Sequence, residues 1–311
     1  MFIAQCVNII YRNTAFGRGF TQASISSVND IVQIRLELPR KLKVDGEYVG
    51  LWLWNPAVSF WSFLHIHPFV VTSWSEAKQE HLDLFIQPRR GFTQKLLNYS
   101  KRNESLSYSE NKSNVSSSCL ALFTGPHGTR APVGEYETVL MVAGGFGIAA
   151  QLPYLKQLIY GYNTCKTRTR RVHLVWQLET IDILIAMVDP LNDALVNDTL
   201  DDGYILSISI YIEYGSADRV PFGERKRAIV YRGSADLERI LKEEAAGTYI
   251  KRIQEEKTME EEKDKQEDMV KREDMLVMVS GTNPQRDKLR GLVRGYLDEK
   301  VSLFELEFQP V

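Results

Sequence analysis

The run from Val139 to Leu155 constrains this chain more than any other stretch. Val139-Leu140-Met141-Val142 is a short apolar run of the kind that forms a strand buried on both faces. Ala143-Gly144-Gly145-Phe146-Gly147 then reads as a tight turn, and the apolar pattern from Ile148 to Ile159 reads as a helix. A strand that feeds a helix through glycine leaves backbone N–H groups unpaired at the helix start, where the helix dipole is positive. Such a turn is a receptor for a diphosphate.

From Glu137 onward strands and helices alternate. Strands are expected at 139–143, 172–176, 204–212, Leu276–Val279 and Ser302–Phe308. Helices are expected at 149–160, 181–195, Ala235–Glu244 and Arg286–Leu297. This alternation predicts an α/β doubly wound parallel sheet over 137–311, interrupted by a charged insertion at 248–274. Ligands of such sheets sit at the C-terminal strand ends near a switch point, and the glycine turn lies at one of those ends.

The earlier part has a different period. Phe20–Val28, Ile31–Leu38, Tyr48–Trp54, Phe69–Trp74 and His81–Ile86 are short strand-like runs separated by turn signals. They predict an antiparallel β-barrel over 14–132. Asn98–Ser118 is rich in Asn and Ser and reads as a flexible surface insertion, with Asn-X-Ser triplets at Asn98, Asn103, Asn111 and Asn114. A chain of 311 residues has room for both domains.

Some classes are excluded or disfavoured. A net charge of −2 gives no electrostatic reason to expect nucleic acid. Cys6, Cys119 and Cys165 are too widely spaced for a paired metal site and suit a reducing compartment. Tyr48–Ser75 carries no charged residue, but Asn55-Pro56, Ser59, Ser62, His65 and His67-Pro68 interrupt it as a membrane span. Met1–Tyr11 is mostly apolar and lacks the features of a signal peptide. Two readings stand for it: a docking strand, or, within 1–13, the remnant of a membrane helix.

Several motifs carry a resemblance to ferredoxin-reductase-type flavoenzymes. His67-Pro68-Phe69, followed by Val70-Val71-Thr72-Ser73, resembles the flavin-binding segment of ferric reductases and NADPH oxidases. Gly91-Phe92-Thr93 resembles the segment that cradles the FAD pyrophosphate, and Gly125-Pro126-His127-Gly128 resembles the turn before the nucleotide domain. Gly144, Gly145, Gly147 and Ile148 fall in what resembles the NADPH pyrophosphate loop, and Phe304-Glu305-Leu306-Glu307-Phe308 resembles the C-terminal element beside the nicotinamide. The matches run in the family's order over roughly residues 12 to 311 and are closest to the cytosolic half of fungal ferric or cupric metalloreductases.

The resemblance implies FAD on the barrel side, NADPH at Gly144–Gly147, and Ser280 and Phe308 flanking the nicotinamide with Gly281 beside them. It also implies single-electron delivery onward through haem, held by a missing membrane domain or a partner, to ferric or cupric ions. The chain would then work at the cytosolic face of a membrane if it is part of a full metalloreductase, or in the cytoplasm if it stands alone. Phe69 is expected to pack near the flavin ring, His67 to face the flavin phosphate or ribityl chain, and Thr93 to donate its hydroxyl to the pyrophosphate.

Three departures stand out. Val70 replaces a threonine, leaving Thr72 or Ser73 to supply a hydroxyl, and strand alternation would let only one of them face the ring. Ala150 stands where a proline is frequent. Ser280 replaces the family's cysteine. For a 2′-phosphate, Gln177 and the basic residues Arg219, Arg225, Lys226 and Arg227 follow strands and are placed to meet it. The cluster Lys166, Arg168, Arg170 and Arg171 precedes a strand and sits at the wrong edge. Two other functions remain open: an NADPH oxidase-like enzyme or soluble diaphorase with another acceptor, and a non-catalytic module that keeps the fold.

Overall fold

The computed structural model describes residues 2–55, 58, 65–109, 118–199, 204–214, 227–249, 274–296 and 300–308. The expectations for Asn111, Asn114, Arg219, Arg225, Lys226 and 250–273 lie outside these residues. The chain begins with helix α1 (Phe2–Asn13) and a two-residue hairpin, β1 (Thr14–Ala15) and β2 (Gly19–Phe20). The docking-strand reading of the N-terminus therefore fails. The amide of buried Asn13 fixes the end of this helix: Nδ2 donates to the Phe123 carbonyl (2.8 Å), and Oδ1 accepts from the Phe123 N–H (3.0 Å) and the Thr21 hydroxyl (3.1 Å).

Strands β3 (Gln22–Val28), β4 (Ile31–Leu42), β5 (Tyr48–Trp54), β6 (His67–Val70), β7 (Gln79–Ile86) and β8 (Ser118–His127) form an antiparallel sheet in the order β6-β5-β8-β3-β4-β7. Alternate side chains of β8 are buried, as expected of strands with one face on a core. Just beyond β6, the Thr72 N–H donates to the Asp83 carbonyl of β7 (2.9 Å), which joins the sheet's two edges and curls it toward a barrel. Strand β6 is shorter than expected and ends before Thr72.

Between β7 and β8 lies helix α2 (Phe92–Ser109). It runs through most of the segment expected to be a flexible insertion. The polar composition is real, but Leu96, Leu97 and Ser100 are buried and Phe92 and Tyr99 pack on the barrel core, so one face is anchored at helical spacing. Tertiary packing of that face outweighs the weak propensity of Asn and Ser.

The second sheet is parallel throughout. It contains β9 (Thr138–Gly144), β10 (Arg171–Leu178), β11 (Leu206–Ile212), β12 (Ala228–Arg232), β13 (Met275–Ser280) and β14 (Val301–Glu305), in the order β12-β11-β10-β9-β13-β14. Helices α3 (Ile148–Asn163), α4 (Asp182–Asn197), α5 (Leu237–Ala245) and α6 (Asn283–Arg294) join the strands. Central β9 and β13 are buried on both faces, which is why they read as apolar runs without alternation. Strand β12 was not expected, although Ala228-Ile229-Val230-Tyr231 is an apolar run; it is a largely exposed edge strand.

Helix α3 is buried on all sides along Ile148–Leu155 because it lies between this sheet and the barrel. Its Tyr154 hydroxyl accepts from the Ala131 N–H (3.4 Å), and its Tyr160 ring meets Trp74 at 5.4 Å between centroids. The helix that begins at the glycine turn is thus also the spine that docks the two sheets together.

Candidate functional site

The sheet order reverses direction between β9 and β13. The chain leaves β9 toward β10 on one side, while β13, far later in sequence, pairs with β9 on the other, with Ser280 opposite Ala143. Their C-terminal ends therefore open a crevice, the usual place for a ligand in an open α/β sheet. Gly145–Gly147 forms a single 3-10 turn there, with Gly145 at φ +51°, and no side chain caps the start of α3. A Cβ on Gly147 would overlap the Ser280 carbonyl, so only glycine lets the turn lie against β13. The Trp176 indole N–H donates to the Gly145 carbonyl (2.8 Å) and fixes the turn from β10.

A cleft of about 1350 Å³ opens above this crevice. Its sheet side is lined by Gly144, Gly145, Phe146, Gln177, Gly281 and Thr282, and its barrel side by Asn29, Asp30, Arg89, Gln94 and Lys101. Phe308 lines it as well, and its ring meets Phe146 edge-on at 5.9 Å while the Arg89 guanidinium lies 5.9 Å from its centroid. One aromatic from the C-terminal element thus touches both halves of the molecule at the mouth of the crevice.

Of the expected site residues, Gly144, Gly145, Gln177, Gly281 and Phe308 line the cleft together. Gly147, Ile148 and Ser280 are buried behind them. Ser280 is 0 % exposed, and its hydroxyl accepts from Gln151 Nε2 at 2.9 Å. The Gln151 oxygen has no partner among the described residues, so this buried amide is only partly satisfied.

The flavin-side residues are more dispersed. Gly91, at φ +86°, precedes α2, whose first turn again presents backbone donors. The Thr93 hydroxyl accepts from the Arg89 N–H (2.7 Å) rather than standing free for a pyrophosphate. Phe92 stacks on His67 with centroids 4.1 Å apart and planes 1° from parallel. Burial, with a smaller push from His65, lowers the His67 imidazole from its ordinary value. Phe69 is a core residue of the barrel rather than a ring exposed to a cofactor. Thr72 and Ser73 both bond the backbone of Asp83, the first to its carbonyl (2.9 Å) and the second from its N–H (3.1 Å). The expected choice between them on alternating faces does not arise, because both lie beyond the strand. Pro68 pairs opposite Gly50, and Gly125 and Gly128 flank His127 at the end of β8 against Tyr48.

These features fit the groups that the motifs implied. The uncapped start of α3 opens on the cleft, where it can take a diphosphate, and Arg89 and Gln94, flanking the start of α2, line the barrel side. Arg89 was missed in sequence, although Arg89-Arg90-Gly91 directly before a helix is a readable cationic approach to a helix N-terminus. Glu179 and Glu213, just beyond the ends of β10 and β11, line the cleft as well. Arg227, expected near a 2′-phosphate, instead precedes β12 at the opposite edge and forms a buried ion pair with Asp198 at 2.6 Å. Arg171, as expected, is also remote, bonded to Glu244.

Residues 17–131 match a family described as FAD-binding domain, and residues 136–297 match one described as ferric reductase NAD binding domain. The chain is 27% identical over 171 residues to ferric reductase transmembrane component 4 of Saccharomyces cerevisiae, an alignment covering 54% of this chain and 21% of that protein. It is 24% identical over 177 residues to ferric/cupric reductase transmembrane component 2 of Schizosaccharomyces pombe, covering 45% and 30%. The chain thus spans well under half the length of these relatives. Among solved structures it resembles the FAD/NAD binding domain of nitric oxide dioxygenase from Vibrio cholerae, with a TM-score of 0.50, 11% identity and coverage of 92% and 98%. A mutant of ferredoxin-NADP+ reductase from Plasmodium falciparum gives a TM-score of 0.50 at 10% identity, covering 95% and 100%.

Proposed function

Because the chain belongs to the ferric reductase NAD-binding family and carries an FAD-binding domain ahead of it, we propose that it is the cytosolic electron-input module of a metal-chelate reductase. It is a flavin-dependent oxidoreductase that uses FAD and a nicotinamide dinucleotide. When both are bound, the nicotinamide supplies two electrons and a proton to the flavin, which can release electrons singly. The observation that supports this reading best is the Phe308 ring between Phe146 of the nucleotide side and Arg89 of the barrel side, above the switch point.

The chain's own residues have positioning roles. The α3 start and Gly144–Gly147 hold one diphosphate, and the α2 start with Arg89 holds the other. The stacked pair His67 and Phe92 supports the barrel-side wall, and Phe308 covers the reacting faces and keeps water out. No side chain need act as acid or base, since alignment of two rings supplies the rate.

The final acceptor is a ferric or cupric chelate, reached through haem in a membrane domain. Support comes from the relatives, which are named as ferric or ferric/cupric reductase transmembrane components. No helix of the described residues is long and apolar enough to cross a membrane. The test is to load the purified chain with FAD and mix it without air with a reduced nicotinamide dinucleotide. Bleaching of the flavin colour, followed by its return on adding a ferric chelate, is expected. A chain that takes up no FAD sinks the reading.

A further inference from the structure

A ring that covers the reacting faces must sit on main chain that is held still, and α6 supplies the hold, an inference that rests on the covering role given to Phe308. Strand β14 follows β13 as far as Glu305 opposite Val279, and one further bond runs from the Leu306 N–H to the Val279 carbonyl (2.8 Å). Glu307 and Phe308 continue past it. The Phe308 ring meets Phe146 and Arg89 at 5.9 Å each. Contacts of this kind orient a ring without fixing the main chain that bears it.

Helix α6 reaches this segment with two arginines one turn apart on the same face, Arg286 and Arg290. Its first turn is itself fixed: the Thr282 N–H donates to Gln285 Oε1 (3.2 Å), and the Arg286 N–H donates to the Thr282 carbonyl (3.1 Å). Arg286 Nη2 donates to the Leu306 carbonyl at 2.9 Å, and Nη1 lies 3.8 Å from the Glu307 carboxylate. The Leu306 N–H thus goes to β13 and its carbonyl to Arg286, which sets both peptide planes around Leu306 immediately before Glu307 and Phe308. Arg290 Nε donates to Glu305 Oε1 (2.9 Å), but its side chain is 44 % exposed, against 17 % for Arg286. Water and salt weaken the outer hold far more than the inner one. Arg286 also lines the cleft with Gly281, Thr282 and Gln285, so one side chain joins the wall of the nucleotide crevice to the segment that carries its cover. We propose that Arg286 is a positioning residue for flavin reduction, acting through Leu306 to hold the Phe308 ring over the crevice.

The test is a double-mutant cycle on the full chain loaded with FAD. The limiting rate of flavin bleaching by saturating NADPH, without air, is measured for the unaltered chain, Arg286→Met, Phe308→Ala and the two combined. Methionine keeps the packing of the arginine stem while removing its donors, and Arg286→Gln takes its place in the cycle if the methionine variant does not fold. Each single change is expected to slow bleaching about tenfold, and the combined variant about tenfold rather than about a hundredfold, because the second change removes nothing that the first has left. Losses that multiply overturn the proposal, since Arg286 would then act through packing or by touching the dinucleotide. An unchanged rate in Arg286→Met overturns it as well. If Phe308→Ala bleaches at the unaltered rate, the covering role of Phe308 fails and the proposal with it, while the flavin reading stands. A chain that takes up no FAD overturns both.

Discussion

Ser280 shows how one residue can be legible in position and illegible in role. Its place at the end of a buried strand, beside Gly281 and near the glycine turn, follows from the sequence pattern. The direction of its hydroxyl does not, because that depends on Gln151 reaching across from α3 at 2.9 Å. Losing this bond leaves the buried amide with only its longer contacts to the Val142 and Met278 carbonyls. Ser280→Ala is therefore expected to lower stability by about 1 kcal/mol, read as a shift in the urea midpoint, with little change in flavin reduction rate. Unchanged stability with a large fall in that rate would show instead that the hydroxyl serves the nicotinamide.

At the scale of elements, α5 is tied to the sheet by a buried polar group rather than by apolar area alone. Glu244, 3 % exposed, accepts from Arg171 (2.9 and 3.2 Å) and lies 2.7 Å from His173 Nδ1, whose Nε2 lies 2.9 Å from the Ser209 hydroxyl. Burial pushes the Glu244 carboxyl up, but the bonds from His173 and Arg171 outweigh it, and the group ends below the usual carboxylate range. A carboxylate lowered on folding stabilises the protein above its unfolded pKa and ceases to do so as pH falls through its folded one. Glu244→Gln should cost about 3 kcal/mol at pH 7. The deficit should shrink as pH drops below the ordinary glutamate range, measured by urea unfolding at neutral and acid pH. A deficit independent of pH would refute the assignment. Helix α2 teaches the complementary lesson: its Asn and Ser content hid an element whose existence depends on Leu96 and Leu97 finding the barrel.

Across the whole molecule, α3 couples the cofactor turn to domain docking. Gly46 sits at φ +90° directly against the Tyr154 ring, and a Cβ there would overlap it. Gly46→Ala is expected to cost about 2–3 kcal/mol through strain and overpacking. Because Tyr154 lies on the helix that carries the glycine turn, weaker dinucleotide binding should accompany the fall in Tm. A Tm equal to that of the unaltered chain would remove α3 as the spine between the sheets.

The sequence by itself determined the two sheets, their order along the chain and the glycine turn at the end of β9, because burial imposes short-range periodicities that survive in the residue pattern. It also carried the flavin and nucleotide motifs that the family matches support. Only tertiary structure decided what those residues face. It sent Phe69 into the core, Arg227 to the far edge and the Thr72 and Ser73 hydroxyls onto Asp83, and it brought Glu179 beside Glu213. Those outcomes depend on pairings between segments distant in sequence, and such contacts leave no local period to read.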